Sequence, residues 1–183
     1  IIDHADVRRM LATMKADTST ARAIALANAV AIDMAHATND AGWAARAAFL
    51  TPITKAFGTR TGIEVADMGV QVHGGMGYIE ETGAAQYLRD VRVTAIYEGT
   101  NGIQAMDLAG RKLMDGGEAA FALIDEIQSR AEAARERLPD LAKPVWQAAE
   151  SLREATEWAL AQTDINERFA GAMPYLLAWA RVL

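Results

Sequence analysis

No cysteine occurs in the 183 residues, which excludes a disulfide framework, a thiolate metal site and a cysteine nucleophile. Positive charge is in short supply as well: 18 lysines and arginines stand against 24 aspartates and glutamates, for a net charge of -6 and an isoelectric point near 5.1. That balance argues against nucleic acid as a partner and leaves no polybasic patch for a membrane surface. Long hydrophobic runs are missing too. Uncharged stretches such as Ala23 to Ile32 and Phe169 to Ala180 are too short to cross a bilayer and read as buried helix, so no integral membrane segment is expected. No alternation of apolar and polar residues is long enough for a strand; Val91 to Tyr97 comes nearest and its neighbours are helical. The three histidines, His4, His36 and His73, lack metal-ligand spacing, and no metal is expected. A Gly-x-Ser-x-Gly nucleophile elbow is also absent. With no signal peptide visible, the expected compartment is the cytoplasm.

What is present is apolar and helical. Hydrophobic residues make up 51% of the chain and charged residues 23%, enough to bury a real core. Helical periodicity predicts one long helix from Asp3 or His4 to about Ala37. Val7, Met10, Leu11, Met14, Ala21, Ile24 and Asn28 form one stripe on it, and Leu26, Val30 and Met34 a second, as expected of a helix covered on two sides. Asn39-Asp40-Ala41-Gly42 breaks the pattern. Thr51-Pro52 predicts the start of a second helix, with Phe57, Val65, Met68 and Val72 facing inward, ending near Val72. A short helix is expected over about Ala84 to Val93, and another from Thr100 or Asn101 to about Met114. Asp115-Gly116-Gly117 is the best boundary. Beyond it three helices are expected, from Glu118 to Leu138, from Pro139 or Pro144 to Gln162, and from Asp164 to Leu183. The expected fold is therefore all-α, in two helical layers. The chain opens on Ile1-Ile2 without a Met and turns helical almost at once, from which a piece of a longer protein is expected.

Three features carry candidate chemistry. Five of the fourteen glycines fall between Gly69 and Gly83, around Gln71-Val72-His73-Gly74-Gly75-Met76-Gly77-Tyr78. Such a loop lets backbone N–H groups approach a ligand closely, although on its own it reads as a helix C-cap and turn. Glu80-Glu81 with Arg89, Asp90 and Arg92 reads as a structural ion-pair cluster, since consecutive carboxylates point apart. Glu98, in Tyr97-Glu98-Gly99-Thr100-Asn101-Gly102, is a carboxylate beside a glycine at a helix start. Alone it reads as a dipole-stabilised surface residue. As a general base it would need a tuned acidity and open access, and Gly99 supplies the access.

Taken together, Gly69 to Tyr78, Leu88-Arg89-Asp90-Val91-Arg92 and Ile96-Tyr97-Glu98-Gly99-Thr100-Asn101-Gly102-Ile103-Gln104 resemble the acyl-CoA dehydrogenase signature in order and spacing. Asp6-Val7-Arg8-Arg9-Met10-Leu11, Glu80 to Gln86 and the helices after Gly117 resemble its 3-methylmercaptopropionyl-CoA dehydrogenase type, a branch with an additional carboxy-terminal helical region. The resemblance implies a carboxy-terminal four-helix bundle over residues 1–115 and an extra helical region over 118–183. It implies FAD as cofactor, an acyl-CoA as substrate, an electron-transfer flavoprotein as acceptor and a homo-oligomer. Glu98 matches the base that takes the substrate α-proton, and Gly99 the position beside the thioester. Thr100, Asn101 and Gly102 match a segment that contacts FAD. Gln71, Val72, His73, Gly74 and Gly75 match a loop that reaches the FAD of a neighbouring subunit. The family's amino-terminal helical domain, middle β-domain and Arg-x-x-x-Phe-Gly segment have no counterpart among these residues. The expectation is accordingly a portion inactive by itself, and the alternative is a non-catalytic helical oligomerisation module.

Overall fold

The computed structural model describes residues 1–183 and contains helices and turns without a strand. α1 (Ala5–Thr38) ends on Asn39, whose left-handed backbone (φ 53°) sends its N–H back to the Ala35 carbonyl. The next residue, Asp40, starts α2 (Ala41–His73) by accepting a hydrogen bond from Trp43 N at 2.9 Å. Two capping residues thus fold α2 back along α1.

α2 begins ten residues before the Thr51-Pro52 start expected from sequence. Thr51 does not cap: its hydroxyl donates to Ala47 O at 2.8 Å inside the helix. Pro52 sits buried within α2, where the missing N–H deprives one carbonyl of its helical partner. The deepest residues are Phe49, Leu50, Ile53 and Ala56, whereas Phe57, Val65, Met68 and Val72 are only half-buried. α1 is also covered differently from expectation. Met10, Ile24, Asn28 and Ala31 are buried against the body, but Leu26 and Val30 of the second stripe are 61% and 53% exposed.

After α2 come α3 (Gly75–Tyr78), a 3-10 turn (Glu80–Thr82) and α4 (Ala84–Arg92). α4 returns along α2 closely enough that a Cβ at Gly62 would lie 2.8 Å from Val91 Cγ2. A second 3-10 turn (Val93–Ala95) leads to α5 (Asn101–Ala109) and a third (Arg111–Leu113). At the boundary, Gly116 and Gly117 both take positive φ, and Asp115 accepts from Gly117 N at 2.8 Å.

α6 (Glu118–Ala134), α7 (Pro139–Ala161), α8 (Ile165–Ala170) and α9 (Ala172–Val182) follow. The single helix expected over Asp164 to Leu183 is divided at Gly171, where a Cβ would press on the Trp158 ring at 2.9 Å. α6 stops at Ala134, four residues short of the expected Leu138. One buried cluster of 20 residues draws on α1, α2, α5, α6, α7 and α9 and so crosses the Gly116-Gly117 boundary. At its centre the fully buried Trp179 meets Phe49 edge-to-face, with ring centroids 4.9 Å apart. Nearby, Thr156 donates to Leu152 O at 2.7 Å, which leaves the buried Tyr175 hydroxyl as donor in its 2.8 Å bond to Thr156 Oγ1. Burial pushes the Tyr175 phenol above its ordinary pKa.

Candidate active site

The turn from Ile96 to Gln104 is built by α5 and fastened to α2. Thr100 caps α5, its Oγ1 accepting from Ile103 N at 3.2 Å. Immediately before it, Glu98 (φ 55°) and Gly99 (φ 84°) are both left-handed. For a glutamate this conformation costs about 1–2 kcal/mol. Glycine suits position 99 for a second reason: a Cβ there would lie 2.9 Å from Gln104 Nε2.

Three side chains hold the turn. Gln104 Nε2 donates to Glu98 O at 3.2 Å. Lys55 of α2 donates to Gly99 O at 2.5 Å and to Asn101 Oδ1 at 3.1 Å. Asn101 is also tied to α2 by its amide, which donates to Ala56 O at 3.2 Å, while Thr59 Oγ1 lies 3.0 Å from its Oδ1. The Lys55 amine is pushed below its ordinary pKa by burial, and the negative charge of Glu98 works in the opposite direction.

The Glu98 side chain itself is exposed and takes part in no ion pair or side-chain hydrogen bond. Its chain neighbours Ile96, Tyr97, Ile103 and Met106 are exposed apolar side chains. A groove of about 330 Å³ opens beside Asn101, lined by Arg60, Ile63, Arg92 and, from α9, Met173 and Leu177. A larger groove, about 670 Å³, lies between α1, α2, α6, α7 and α9, and Glu98 lines neither.

Gln71 to Gly75 lie elsewhere. Gln71 is more than four turns beyond Lys55 on α2, a separation of about 24 Å. Gln71 and His73 are exposed and Val72 is half-buried; His73 Nδ1 lies 2.7 Å from Gly69 O. Gly74 ends α2 at φ 62°, and its N–H bonds to Gln71 O. A Cβ at Gly74 or Gly75 would meet nothing within 4 Å, while one at the buried Gly77 would lie 2.2 Å from Val70 O. One chain therefore brings Glu98, Gly99, Thr100, Asn101 and Gly102 together and leaves Gln71–Gly75 apart; these residues are not the expected loop but the last turn of α2, the break at Gly74 and the first residue of α3.

The expected cluster of Glu80, Glu81, Arg89, Asp90 and Arg92 reduces to one exposed 3.6 Å contact between Arg89 and Glu80. Asp90 accepts instead from Gln86, at 2.6 Å. Sequence reasoning missed Lys55 and Thr59. The available signal was slight: a lone cation inside Pro52 to Gly58, one turn before a threonine.

Comparison with known proteins gives a consistent result. The chain matches the family described as "Acyl-CoA dehydrogenase, C-terminal domain" over residues 1–113. It is 43% identical to 3-methylmercaptopropionyl-CoA dehydrogenase of Ruegeria pomeroyi, over 97% of this chain and 32% of that protein. It is 32% identical to the broad-specificity linear acyl-CoA dehydrogenase FadE5 of Mycobacterium tuberculosis, over 97% of this chain and 28% of that one. Among solved structures, Caenorhabditis elegans ACDH-11 in complex with C11-CoA shares the fold with a TM-score of 0.78 at 23% identity, over 95% of this chain and 30% of that one. The chain thus spans about a third of the length of these relatives.

Proposed function

The chain belongs to the acyl-CoA dehydrogenase family, and from that premise we propose that it is the carboxy-terminal portion of an FAD-dependent enzyme that desaturates an acyl-CoA thioester between Cα and Cβ. The observation that carries the proposal is Glu98: a carboxylate on a left-handed backbone, unpaired, among exposed apolar side chains. A surface glutamate with only a solvation role gains nothing from that strain.

Glu98 takes the α-proton onto its carboxylate, and the electron pair of that C–H bond becomes the new double bond. A bound FAD would supply the acceptor for the β-hydrogen and its electron pair, so that no free carbanion need form. The residues expected to hold it fit unequally. Thr100 retains a hydroxyl proton to donate, and the first N–H groups of α5, at Asn101 and Gly102, lie at an open helix end. The Asn101 side chain is committed to α2 at both its oxygen and its nitrogen. Its role is to fix the turn, and any contact it makes with the cofactor is through its backbone. Gly99, with no side chain, leaves the approach to Glu98 open for the thioester.

The end of α2 and the turn after it, Gln71–Gly75, serve the FAD of a neighbouring subunit in a homo-oligomer. Their exposure, the open space above Gly74 and Gly75 and the uncovered Leu26 and Val30 on α1 support this reading. An electron-transfer flavoprotein takes the electrons onward, in the cytoplasm. The test is anaerobic addition of an acyl-CoA to the purified complete protein. The expected result is a yellow flavin spectrum that bleaches stoichiometrically. A colourless, flavin-free protein would favour the oligomerisation module instead.

A further inference from the structure

We propose that Lys55 is the positioning residue of this site: by donating to Gly99 O and Asn101 Oδ1, its ammonium holds Glu98 in the left-handed turn that aims the carboxylate. The inference rests on the reading of Glu98 as the base.

Glu98 is one of two non-glycine residues with positive φ, and the other, Asn39, is a residue type that adopts this conformation readily and ends a helix there. A glutamate has no such tolerance, so something must hold it. Its carbonyl is held by Gln104 and the next carbonyl by Lys55. With both fixed, neither peptide plane beside Gly99 can rotate without breaking a hydrogen bond. Rotation there would relieve the strain at Glu98 and swing its Cα–Cβ bond away.

Lys55 is suited to the task by its support. It stands on α2 between Ile53 and Ala56, which are 0% and 2% exposed. One turn further, Thr59 Oγ1 lies 3.0 Å from the same Asn101 oxygen. The anchor is therefore a buried stretch of α2, and Gly99 lies 44 residues away in sequence. The ammonium also makes no ion pair with the Glu98 carboxylate, since its acceptors are a backbone carbonyl and an amide. It orders the base without tying up the oxygens that must receive the proton.

The test uses the complete enzyme carrying Lys55→Met, with wild type and Glu98→Gln alongside. The expected result for Lys55→Met is flavin bleaching slowed about tenfold, KM changed by no more than about twofold, and an enlarged isotope effect with α-deuterated acyl-CoA. Lys55→Ala is the second variant, and ethylamine added to it should restore part of the bleaching rate. Unchanged bleaching and isotope effect in a folded, flavin-bound Lys55→Met would overturn the proposal. So would a Lys55→Ala enzyme that loses flavin or fold and is not restored by amine, because Lys55 would then be structural only. If Glu98→Gln bleaches at the wild-type rate, the base assignment itself fails, which is a separate outcome.

Discussion

Replacing Trp179 with alanine should show whether the helices after Gly117 share a core with those before it. Trp179 is fully buried and meets Phe49 of α2 and Tyr175 of α9 in T-shaped pairs, at centroid separations of 4.9 and 6.3 Å. Removing a buried aromatic of this size costs about 3–5 kcal/mol in transfer and cavity terms. Each edge-to-face contact adds about 0.5–1.5 kcal/mol beyond area burial, partly included in that figure. A loss near 4 kcal/mol leaves a domain of ordinary stability folded, since such domains hold about 5–15 kcal/mol. It should lower Tm by about 8–16 °C at this chain length. The assay is thermal and urea unfolding of the 183-residue chain, followed by far-UV circular dichroism and by fluorescence of the remaining tryptophans. The two probes should give one coincident transition, shifted as a whole. A separate transition left at its original midpoint, or a loss below about 1 kcal/mol, would refute the shared core.

Glu98→Gly should remove the left-handed strain and stabilise the fold by about 0.5–1 kcal/mol, seen as a raised urea midpoint, while abolishing acyl-CoA-dependent bleaching; a destabilised variant would mean the turn is not strained. Gly75→Ala should leave the melting curve of the isolated chain unchanged, since its Cβ meets nothing, yet weaken FAD retention in the complete enzyme. Gly77→Ala, pressed onto Val70 O, should lower Tm in both. Hydrogen bonding to Arg46 holds the Glu126 carboxyl below its ordinary pKa against the opposing effect of burial. The sign follows: Glu126 stabilises the folded chain above the unfolded pKa of about 4.5, and that contribution disappears as pH falls through the lower folded value. Glu126→Gln should therefore lower stability at neutral and alkaline pH and flatten the acid limb of a stability–pH profile, with the slope of the alkaline limb unchanged.

Local signals served well where local physics decides the outcome. The extent of α1, the Asn39-Asp40 break, Thr100 as a cap and a turn at Asp115-Gly116-Gly117 all stand in the structure close to where periodicity and capping chemistry put them. The misplaced start of α2 has a specific cause. Thr51-Pro52 is a sound N-terminal signal, but Asp40 supplies a real cap eleven residues earlier. The alanine-rich turns between them have helical propensity enough to carry the helix to a buried proline. Gly171 misled in the opposite direction: it lies inside a continuous apolar pattern, and only the ring of Trp158 against it makes a glycine necessary. At the site, the motif from Ile96 to Gln104 was readable through family resemblance. Lys55 was not, because its partners lie 44 and 46 residues away and no local pattern encodes them. The strain at Glu98 was equally invisible, since two held carbonyls impose it against the residue's own preference.

The most direct measurement is stopped-flow bleaching of the flavin by acyl-CoA in the complete enzyme with Glu98→Gln. The amide keeps the size and shape of the side chain and cannot accept the α-proton. Bleaching should slow by a factor of about 10² or more, with flavin content and Tm unchanged. Bleaching at a near-normal rate would contradict the assignment of Glu98 as the base, and with it the reading of the strained turn that Lys55 and Gln104 hold.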